Sequence, residues 1–171
     1  MLGEVIIADG ARWRRHVGGA RDLRVVPPAG QPPGQRPGMA IEHFKRVAAV
    51  TDLPLIAFQY PATGGQGYPL PTLMRMIEAV PTIRAIKDWC GNAQLAERQI
   101  RALQTRNPPV NVLSTHSAWL FSSLVLGCNG LLSGSGSVIA DLQARLFRAV
   151  QAKDLAAAQR MTQELIEALP N

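Results

Sequence analysis

Apolar and polar positions alternate in blocks along most of the chain. Short apolar runs, several of them rich in β-branched residues, predict five strands at residues 23–26, 53–60, 83–89, 110–114 and 130–133. Apolar residues at helical spacing predict helices at residues 41–50, 70–79, 93–104, 118–126, 138–149 and 155–169. In the second helix, for example, Leu70, Leu73, Met74 and Ile77 lie on one face.

This order of elements predicts an α/β fold. Strands that are apolar throughout are typical of parallel sheets covered on both faces, and strands separated by helices indicate βαβ units. The residues alone leave two architectures open, an open doubly wound sheet and part of a closed barrel. No GxGxxG turn follows the first strand and no P-loop is present, so a nucleotide-binding version of the doubly wound sheet is not favoured.

Composition narrows the class of protein. The chain has 171 residues, of which 47% are apolar and 18% charged, which suits one globular domain and excludes a disordered chain. No apolar run reaches the roughly 18–20 residues of a membrane span, and no secretory signal is recognisable, so we expect a cytoplasmic protein without membrane contact. Cys90 and Cys128 are expected to be small core or loop residues, with no metal and no cofactor bound.

The net charge of +6 gives little indication of a partner. Residues 1–40 contain six arginines and three acidic residues, and Pro27–Gly38 is predicted to be a loop because of its prolines and glycines. No aromatic residues are interleaved with these arginines in a stacking pattern, so we expect no nucleic-acid partner.

One of the three lysines stands in an unusual place. Lys45 and Lys153 lie in polar helical and turn segments and are expected at the surface. Lys87 lies in the apolar strand IRAIKDW, with Ile83 and Ala85 predicted on its face of the strand. Burial favours the neutral amine, which is the nucleophile that forms a Schiff base with a keto group. The alternative for Lys87 is an ion pair, or a strand-end lysine that reaches solvent.

Residues 83–92, IRAIKDWCGN, resemble the Schiff-base strand of the dihydrodipicolinate synthase and N-acetylneuraminate lyase family, I-x-G-I-K-[DE]-x-[ST]-G-[DN]. Residues 53–65 resemble the family strand that leads into a Y-N-x-P turn. Residues 110–137 resemble its V-L-S-G-D and G-x-I-S segments, and the resemblance covers residues 22–169 in order.

The resemblance implies a (β/α)8 TIM barrel, of which this chain contains the C-terminal part, about strands 4–8 with the closing helices. It implies that Lys87 forms an imine with pyruvate or another 2-oxo acid. The reaction would be carbon–carbon cleavage, condensation or dehydration on a 2-oxo acid or sugar acid. No cofactor is implied, and a homo-oligomer is expected because family barrels are often tetramers.

The departures from the family concern the residues around this lysine. Phe58 stands where the family has its proton-relay tyrosine, and a phenyl ring transfers no proton. Tyr60 lies two residues after Phe58, which places it about 7 Å nearer the mouth of the barrel. Its hydroxyl either replaces that of the family tyrosine, or the side chain lines the rim of the mouth. Thr63 lies near the position where many members have a carboxylate-binding arginine, which argues for an altered substrate.

The resemblance assigns three more positions to the substrate. Thr115 and His116 replace the usual Gly-Asp pair, and Thr115 is predicted to contact substrate. His116 either serves the substrate or is a structural histidine. Leu132 replaces the isoleucine whose backbone faces the keto acid. Ser133 begins a loop that ends at a helix starting near Val138, and this loop is either an anion site or an ordinary turn.

The length of the chain opens a second hypothesis. Family barrels need about 250 residues to close eight strands. We therefore expect residues 1–21 to be an atypical leader before a partial barrel at 22–171, truncated at the N-terminus. The alternative to an active lyase is an inactive barrel fragment with a structural or partner-dependent role.

Overall fold

The fold comes from a computed structural model that describes residues 23–25, 37–61, 67–134 and 136–168. The predicted leader, and the Pro/Gly-rich segment before Pro37, lie outside the described residues. The strands are β1 (Leu23–Val25), β2 (Leu55–Gln59), β3 (Ile83–Asp88), β4 (Asn111–Ser114) and β5 (Gly130–Leu131). The helices are α1 (Pro37–Ala48), α2 (Leu70–Ala79), α3 (Ala93–Gln104), α4 (Leu120–Val125), α5 (Gly136–Gln151) and α6 (Leu155–Glu167).

The five strands form one parallel sheet in the order β1-β2-β3-β4-β5. This order decides between the two architectures that the residues left open. A doubly wound sheet reverses direction near its middle, whereas in a (β/α)8 barrel each strand pairs with the next one along the chain. The α/β prediction is confirmed, and the described strands form part of a barrel of this type.

The helices cover one face of this sheet. Right-handed crossovers between strands that advance in one direction place every connecting helix on the same side. The main core lies on that side and contains Ala57, Ile86 and Val112 from the strands, with Phe44, Leu73, Leu103, Leu120 and Leu146 from the helices. The other sheet face carries Ile56, Phe58, Ala85 and Lys87, which are buried but do not belong to this cluster.

Local sequence sets the helix boundaries where a cap or a proline is present. The Asn92 side chain accepts a hydrogen bond from the Leu95 amide (2.9 Å) and starts α3, and Asp154 does the same for α6 through the Ala157 amide (2.9 Å). Helix α2 begins beside prolines, which need no amide partner in a first turn. Its predicted bounds and those of α3 are confirmed.

Several predicted boundaries differ from the observed ones, and two of these lie at helix starts beside predicted loops. Helix α1 begins at Pro37, inside the segment predicted as a loop, because proline suits the first turn of a helix. Helix α5 begins at Gly136, before the predicted start near Val138, and a non-helical Ile139 marks a kink where two helical segments join. The predicted anion loop from Ser133 is therefore shorter than expected.

The alternation of faces in β3 is interrupted near its start. Leu55 pairs with Ile83, but Ile56 pairs with Ala85, so Arg84 is an extra residue in the ladder. Ile83 consequently packs in the helix-side core together with Ile86, and the prediction that it shares a face with Lys87 is wrong. Ala85 and Lys87 do lie on one face.

None of the helices in the described part of the chain combines the length and the apolar character that a bilayer crossing requires.

Candidate active site

Lys87 lies one residue before the carboxyl end of β3 and is only 6% exposed. Its Nζ lies 4.6 Å from the centroid of the Phe58 ring on β2. The prediction that Lys87 is buried on an apolar strand is confirmed, and Lys45 and Lys153 are exposed as expected. The chain thus buries one of its lysines at the edge where the strands of a barrel end, which is where barrel enzymes place their reactive groups.

Sheet register places four residues in a row at the level of this lysine. Phe58 pairs with Lys87, Lys87 with Leu113, and Leu113 with Gly130. Paired residues of parallel strands point to the same face, so Phe58, Lys87 and Leu113 share the face without connecting helices. A Cβ on Gly130 would lie 2.8 Å from a methyl carbon of Leu113, so the Leu113 side chain occupies the space beside Gly130. Backbone pairing therefore fixes what surrounds Lys87.

The turn after Lys87 is held by Asp88. Its carboxylate accepts hydrogen bonds from the Cys90 amide (3.2 Å) and the Cys90 thiol (3.4 Å), and its carbonyl accepts one from the Thr115 amide (3.1 Å). Burial raises the pKa of Asp88, and the bonds from Cys90 oppose that rise. Asp88 follows Lys87 directly, so this turn positions the end of the lysine strand.

Cys90 does not offer a competing nucleophile. Burial and the nearby Asp88 carboxylate raise the pKa of its thiol to about 12, so the thiol remains protonated at neutral pH. The sulfur lies 3.3 Å from the Asn92 carbonyl oxygen and 3.4 Å from the Asp88 carboxylate. Cys90 and Cys128 are both buried, which confirms their prediction as small core or loop residues.

Gln59 anchors the loop that follows β2. Its fully buried side chain donates to the Tyr68 carbonyl (2.9 Å) and accepts from the Tyr68 amide (2.9 Å), while its own carbonyl accepts from the Trp89 amide (2.8 Å). These bonds join the end of β2 to the start of α2 and to the turn beyond Lys87. Sequence reasoning missed this role, although a glutamine that ends the apolar run LPLIAFQ signals a buried polar group with backbone partners.

A cluster of aromatic side chains lies beside Lys87. The Tyr60 ring centroid is 4.1 Å from that of Phe58 and 5.8 Å from that of Trp89, and Trp89 is 6.2 Å from Phe58. Tyr60 is half-buried just beyond β2, and its contact with the Phe58 ring agrees with the prediction that both lie on one face. The structure therefore brings Tyr60 to the strand end beside the ring that covers Lys87.

His116, in the loop after β4, continues this cluster of aromatic side chains. Its ring lies 6.1 Å from Trp89 and 5.6 Å from Trp119, centroid to centroid. Its Nε2 is buried and has no hydrogen-bond partner among the described residues. Burial lowers the pKa of His116, so the ring is neutral at neutral pH.

Replacing His116 by phenylalanine is expected to make the protein less sensitive to acid. Because its pKa is lowered in the folded chain, the unfolded chain binds a proton on this ring at a higher pH than the folded chain does. Stability is therefore lost as pH falls from the ordinary histidine value through the lowered one. Urea unfolding at pH 5 and pH 8 measures the free energy of unfolding of His116→Phe relative to wild type. We expect this difference to favour the variant more at pH 5 than at pH 8, and an equal difference at both pH values would contradict the lowered pKa of His116.

The three predicted substrate positions also lie at this edge. Thr115 follows β4, and Leu132 and Ser133 follow β5; all three are half-buried. The Leu132 amide donates to the Ser114 carbonyl (2.8 Å), so it extends the sheet. No contact assigns these residues a role, and their substrate contacts remain predictions.

Ser133 belongs to a group of hydrogen-bonded polar side chains, together with the buried Ser117 and Gln143, that sequence reasoning did not find. Its hydroxyl lies 2.7 Å from the hydroxyl of Ser117, which accepts a hydrogen bond from Gln143 Nε2 at 3.0 Å. These bonds connect the loops after β4 and β5 to α5. Gln143 carries no sequence signal beyond its place in an amphipathic helix, so only the folded chain shows it.

No cluster of three or more potential metal ligands from His, Cys, Asp and Glu occurs among the residues that the structure describes.

Comparison with known proteins agrees with this geometry. Residues 17–170 match the Dihydrodipicolinate synthetase family. The chain is 30% identical over 154 residues to 4-hydroxy-tetrahydrodipicolinate synthase of Acidobacterium capsulatum, across 90% of this chain and 49% of that protein. It is 27% identical over 127 residues to YagE of Escherichia coli, named as a candidate 2-dehydro-3-deoxy-D-gluconate aldolase, across 74% of this chain and 42% of that protein.

Solved structures show the same fold. The crystal structure of YagE in complex with pyruvate superposes with a TM-score of 0.77 at 26% identity, over 86% of this chain and 49% of that one. Dihydrodipicolinate synthase from Aquifex aeolicus gives a TM-score of 0.75 at 26% identity, over 87% and 49%. The chain thus spans about half the length of the relatives it matches.

Proposed function

Because this chain belongs to the dihydrodipicolinate synthetase family, we propose that it acts as a Schiff-base lyase or aldolase in which Lys87 binds a 2-oxo acid covalently. The observation that carries the proposal is the burial of Lys87 at the carboxyl edge of a barrel sheet, with its Nζ against the Phe58 ring. Family relatives include a synthase and a candidate sugar-acid aldolase, so both condensation and cleavage are within the range of this fold.

The proposed chemistry begins with nucleophilic attack by the amine. The neutral Nζ of Lys87 adds to the keto carbon of pyruvate or a related 2-oxo acid, and the carbonyl oxygen leaves as water after proton transfer. The resulting iminium withdraws electrons from the neighbouring carbon. That carbon then forms or loses a bond to the second part of the substrate.

Surroundings of low polarity support this step. An apolar environment favours the uncharged amine over the ammonium, and Ile56 and Ala85 supply apolar side chains on the face of Lys87. Phe58 transfers no proton, so the proton-relay role that the family gives to a tyrosine passes in our proposal to the Tyr60 hydroxyl. Tyr60 is suited to it because its ring packs directly on Phe58.

The substrate in this proposal is a small 2-oxo acid or sugar acid. YagE was crystallised with pyruvate, and 86% of the present chain superposes on the YagE structure. Thr115, Leu132 and Ser133 are proposed to contact the bound 2-oxo acid because they lie at the ends of β4 and β5, next to the lysine strand. A homo-oligomer and a cytoplasmic location remain predictions.

Borohydride trapping tests the proposed function directly. The full chain is incubated with pyruvate, reduced with borohydride and weighed by intact-mass spectrometry; pyruvate without reductant is the control. We expect a mass gain equal to one reduced pyruvate per chain. A chain that is folded by circular dichroism and gains no mass would contradict the proposal and favour the inactive barrel fragment.

A further inference from the structure

We propose that the aromatic row formed by Tyr60, Trp89, His116 and Trp119 is a subsite for an uncharged, planar aromatic group on the substrate. This inference rests on the proposed function, since it concerns the part of the substrate beyond the carbons that bind Lys87. It assigns the row a role in specificity that is separate from the covalent step.

The row runs along the carboxyl edge of three neighbouring strands. Successive ring centroids are 5.8 Å apart from Tyr60 to Trp89, 6.1 Å from Trp89 to His116 and 5.6 Å from His116 to Trp119. These separations lie within about 4.5–7 Å, the range of favourable ring contacts. The rings belong to three different loops, so the fold, and no local sequence repeat, brings them together.

The row begins at the reactive lysine. Phe58 contacts Lys87 Nζ at 4.6 Å and also contacts Tyr60 and Trp89, at 4.1 and 6.2 Å between ring centroids. A substrate bound to Lys87 and extended along the strand ends toward β4 therefore meets Trp89 next. Trp89 is 41% exposed, which leaves a large part of an indole available for stacking.

The sequences of the four segments that connect β2, β3, β4 and β5 to the following helices contain no residue with a fixed charge. Residues 60–69, 89–92, 115–119 and 132–135, which connect β2, β3, β4 and β5 to the following helices, contain no lysine, arginine, aspartate or glutamate. His116 is the one histidine in these loops, and burial keeps its ring neutral by lowering its pKa. A second carboxylate or a phosphate on the substrate finds no counter-charge in these four loops.

Aromatic rings select planar apolar groups over hydrated chains. A polyhydroxylated group needs hydrogen-bond partners for each hydroxyl, because a desolvated hydroxyl without a partner is costly. The row offers the Tyr60 hydroxyl and the indole N–H groups, but mainly ring faces and edges. An aromatic aldehyde, or a 2-oxo acid with an aromatic tail, suits it better than an open-chain sugar acid.

The test separates the subsite from the covalent step by using probes without a keto group. Ligand-observed NMR titration compares cinnamyl alcohol, a neutral planar aromatic, with erythritol, a neutral polyol, on the full chain and on Lys87→Ala. We expect cinnamyl alcohol to bind both proteins equally and erythritol to bind at least about tenfold more weakly. Trp89→Ala is expected to weaken cinnamyl alcohol about tenfold, whereas Trp89→Phe retains most of the affinity.

Val138→Ala is the matched control, because Val138 is an apolar side chain that is 85% exposed on α5 and takes no part in the ring contacts of the row. It should leave binding unchanged. Equal binding of the two probes, or equal affinity in wild type and Trp89→Ala, would overturn the inference. If pyruvate is trapped but cinnamyl alcohol does not bind, the subsite is contradicted and the proposed function stands. If cinnamyl alcohol binds but pyruvate is not trapped, only the proposed function is contradicted.

Discussion

Lys87→Ala is expected to abolish the pyruvate adduct and to lower the kcat/KM for any 2-oxo acid reaction by about a thousandfold or more. The alanine has no amine to form the iminium. Cys90 cannot replace it because a sulfur atom forms no iminium, and its thiol is also protonated. Trapping and steady-state kinetics measure the two effects on the same preparation. Lys45→Ala is the matched control, because Lys45 is an exposed lysine on α1.

The stability of a second variant separates function from folding. Lys87→Met keeps the length and apolar stem of the side chain and removes the nitrogen, so we expect it to be no less stable than wild type to urea. If Lys87 were buried only to stabilise the fold, Lys87→Met would instead be clearly less stable than wild type.

For Lys87→Ala, a pyruvate adduct or enzymatic activity at the wild-type level would contradict the assignment of Lys87 as the covalent residue.

Gln59→Ala is expected to lower the free energy of unfolding by about 2–5 kcal/mol. The substitution removes both side-chain hydrogen bonds to Tyr68 and leaves a buried amide and carbonyl without partners. Urea unfolding followed by circular dichroism measures the loss. The same variant should also bind pyruvate less well, because the anchored loop follows directly after Tyr60.

Gln163→Ala is the control for this change. Gln163 is exposed on α6 and bonds only to Glu167, at 3.1 Å, among the contacts seen for its side chain. Its replacement should change stability by no more than about 0.5 kcal/mol. A Gln59 variant as stable as the Gln163 variant would show that the Tyr68 backbone finds other partners and that Gln59 does not hold the loop.

Much of the fold could be predicted from local sequence. The bounds of α2 and α3 follow from apolar periodicity together with prolines in one helix and an asparagine cap in the other. The burial of Lys87 could be predicted from the apolar residues that precede it in β3, such as Ala85 and Ile86. These features depend on neighbours along the chain, which the sequence displays directly.

Architecture and fine register depend on contacts between distant segments. Apolar strands and helical connections fit a barrel and a doubly wound sheet equally well, and only the observed strand order separates them. The extra residue at Arg84 moves Ile83 to the other side of the sheet because of how β3 meets β2. Nothing within the strand IRAIKDW marks that shift.

In the candidate site, too, some residues could be predicted from the sequence and others are seen only in the folded chain. Lys87 and Tyr60 could be named from the strand pattern and from the resemblance to a family. The pairing of Gln59 with Tyr68, and of Ser117 with Ser133 and Gln143, joins residues that lie 9 to 26 positions apart. The aromatic row likewise arises from three loops, so its members appear in sequence only as separate aromatic residues.

Peptide mapping of the trapped adduct tests the central claim most directly. Trypsin cleaves wild type after Arg84, Lys87 and Arg98, and a modified Lys87 is not cleaved. After borohydride reduction with pyruvate, we predict one modified peptide that spans residues 85–98 and carries one reduced pyruvate on Lys87. An adduct on Lys45 or Lys153, or none on a folded chain, would contradict the account.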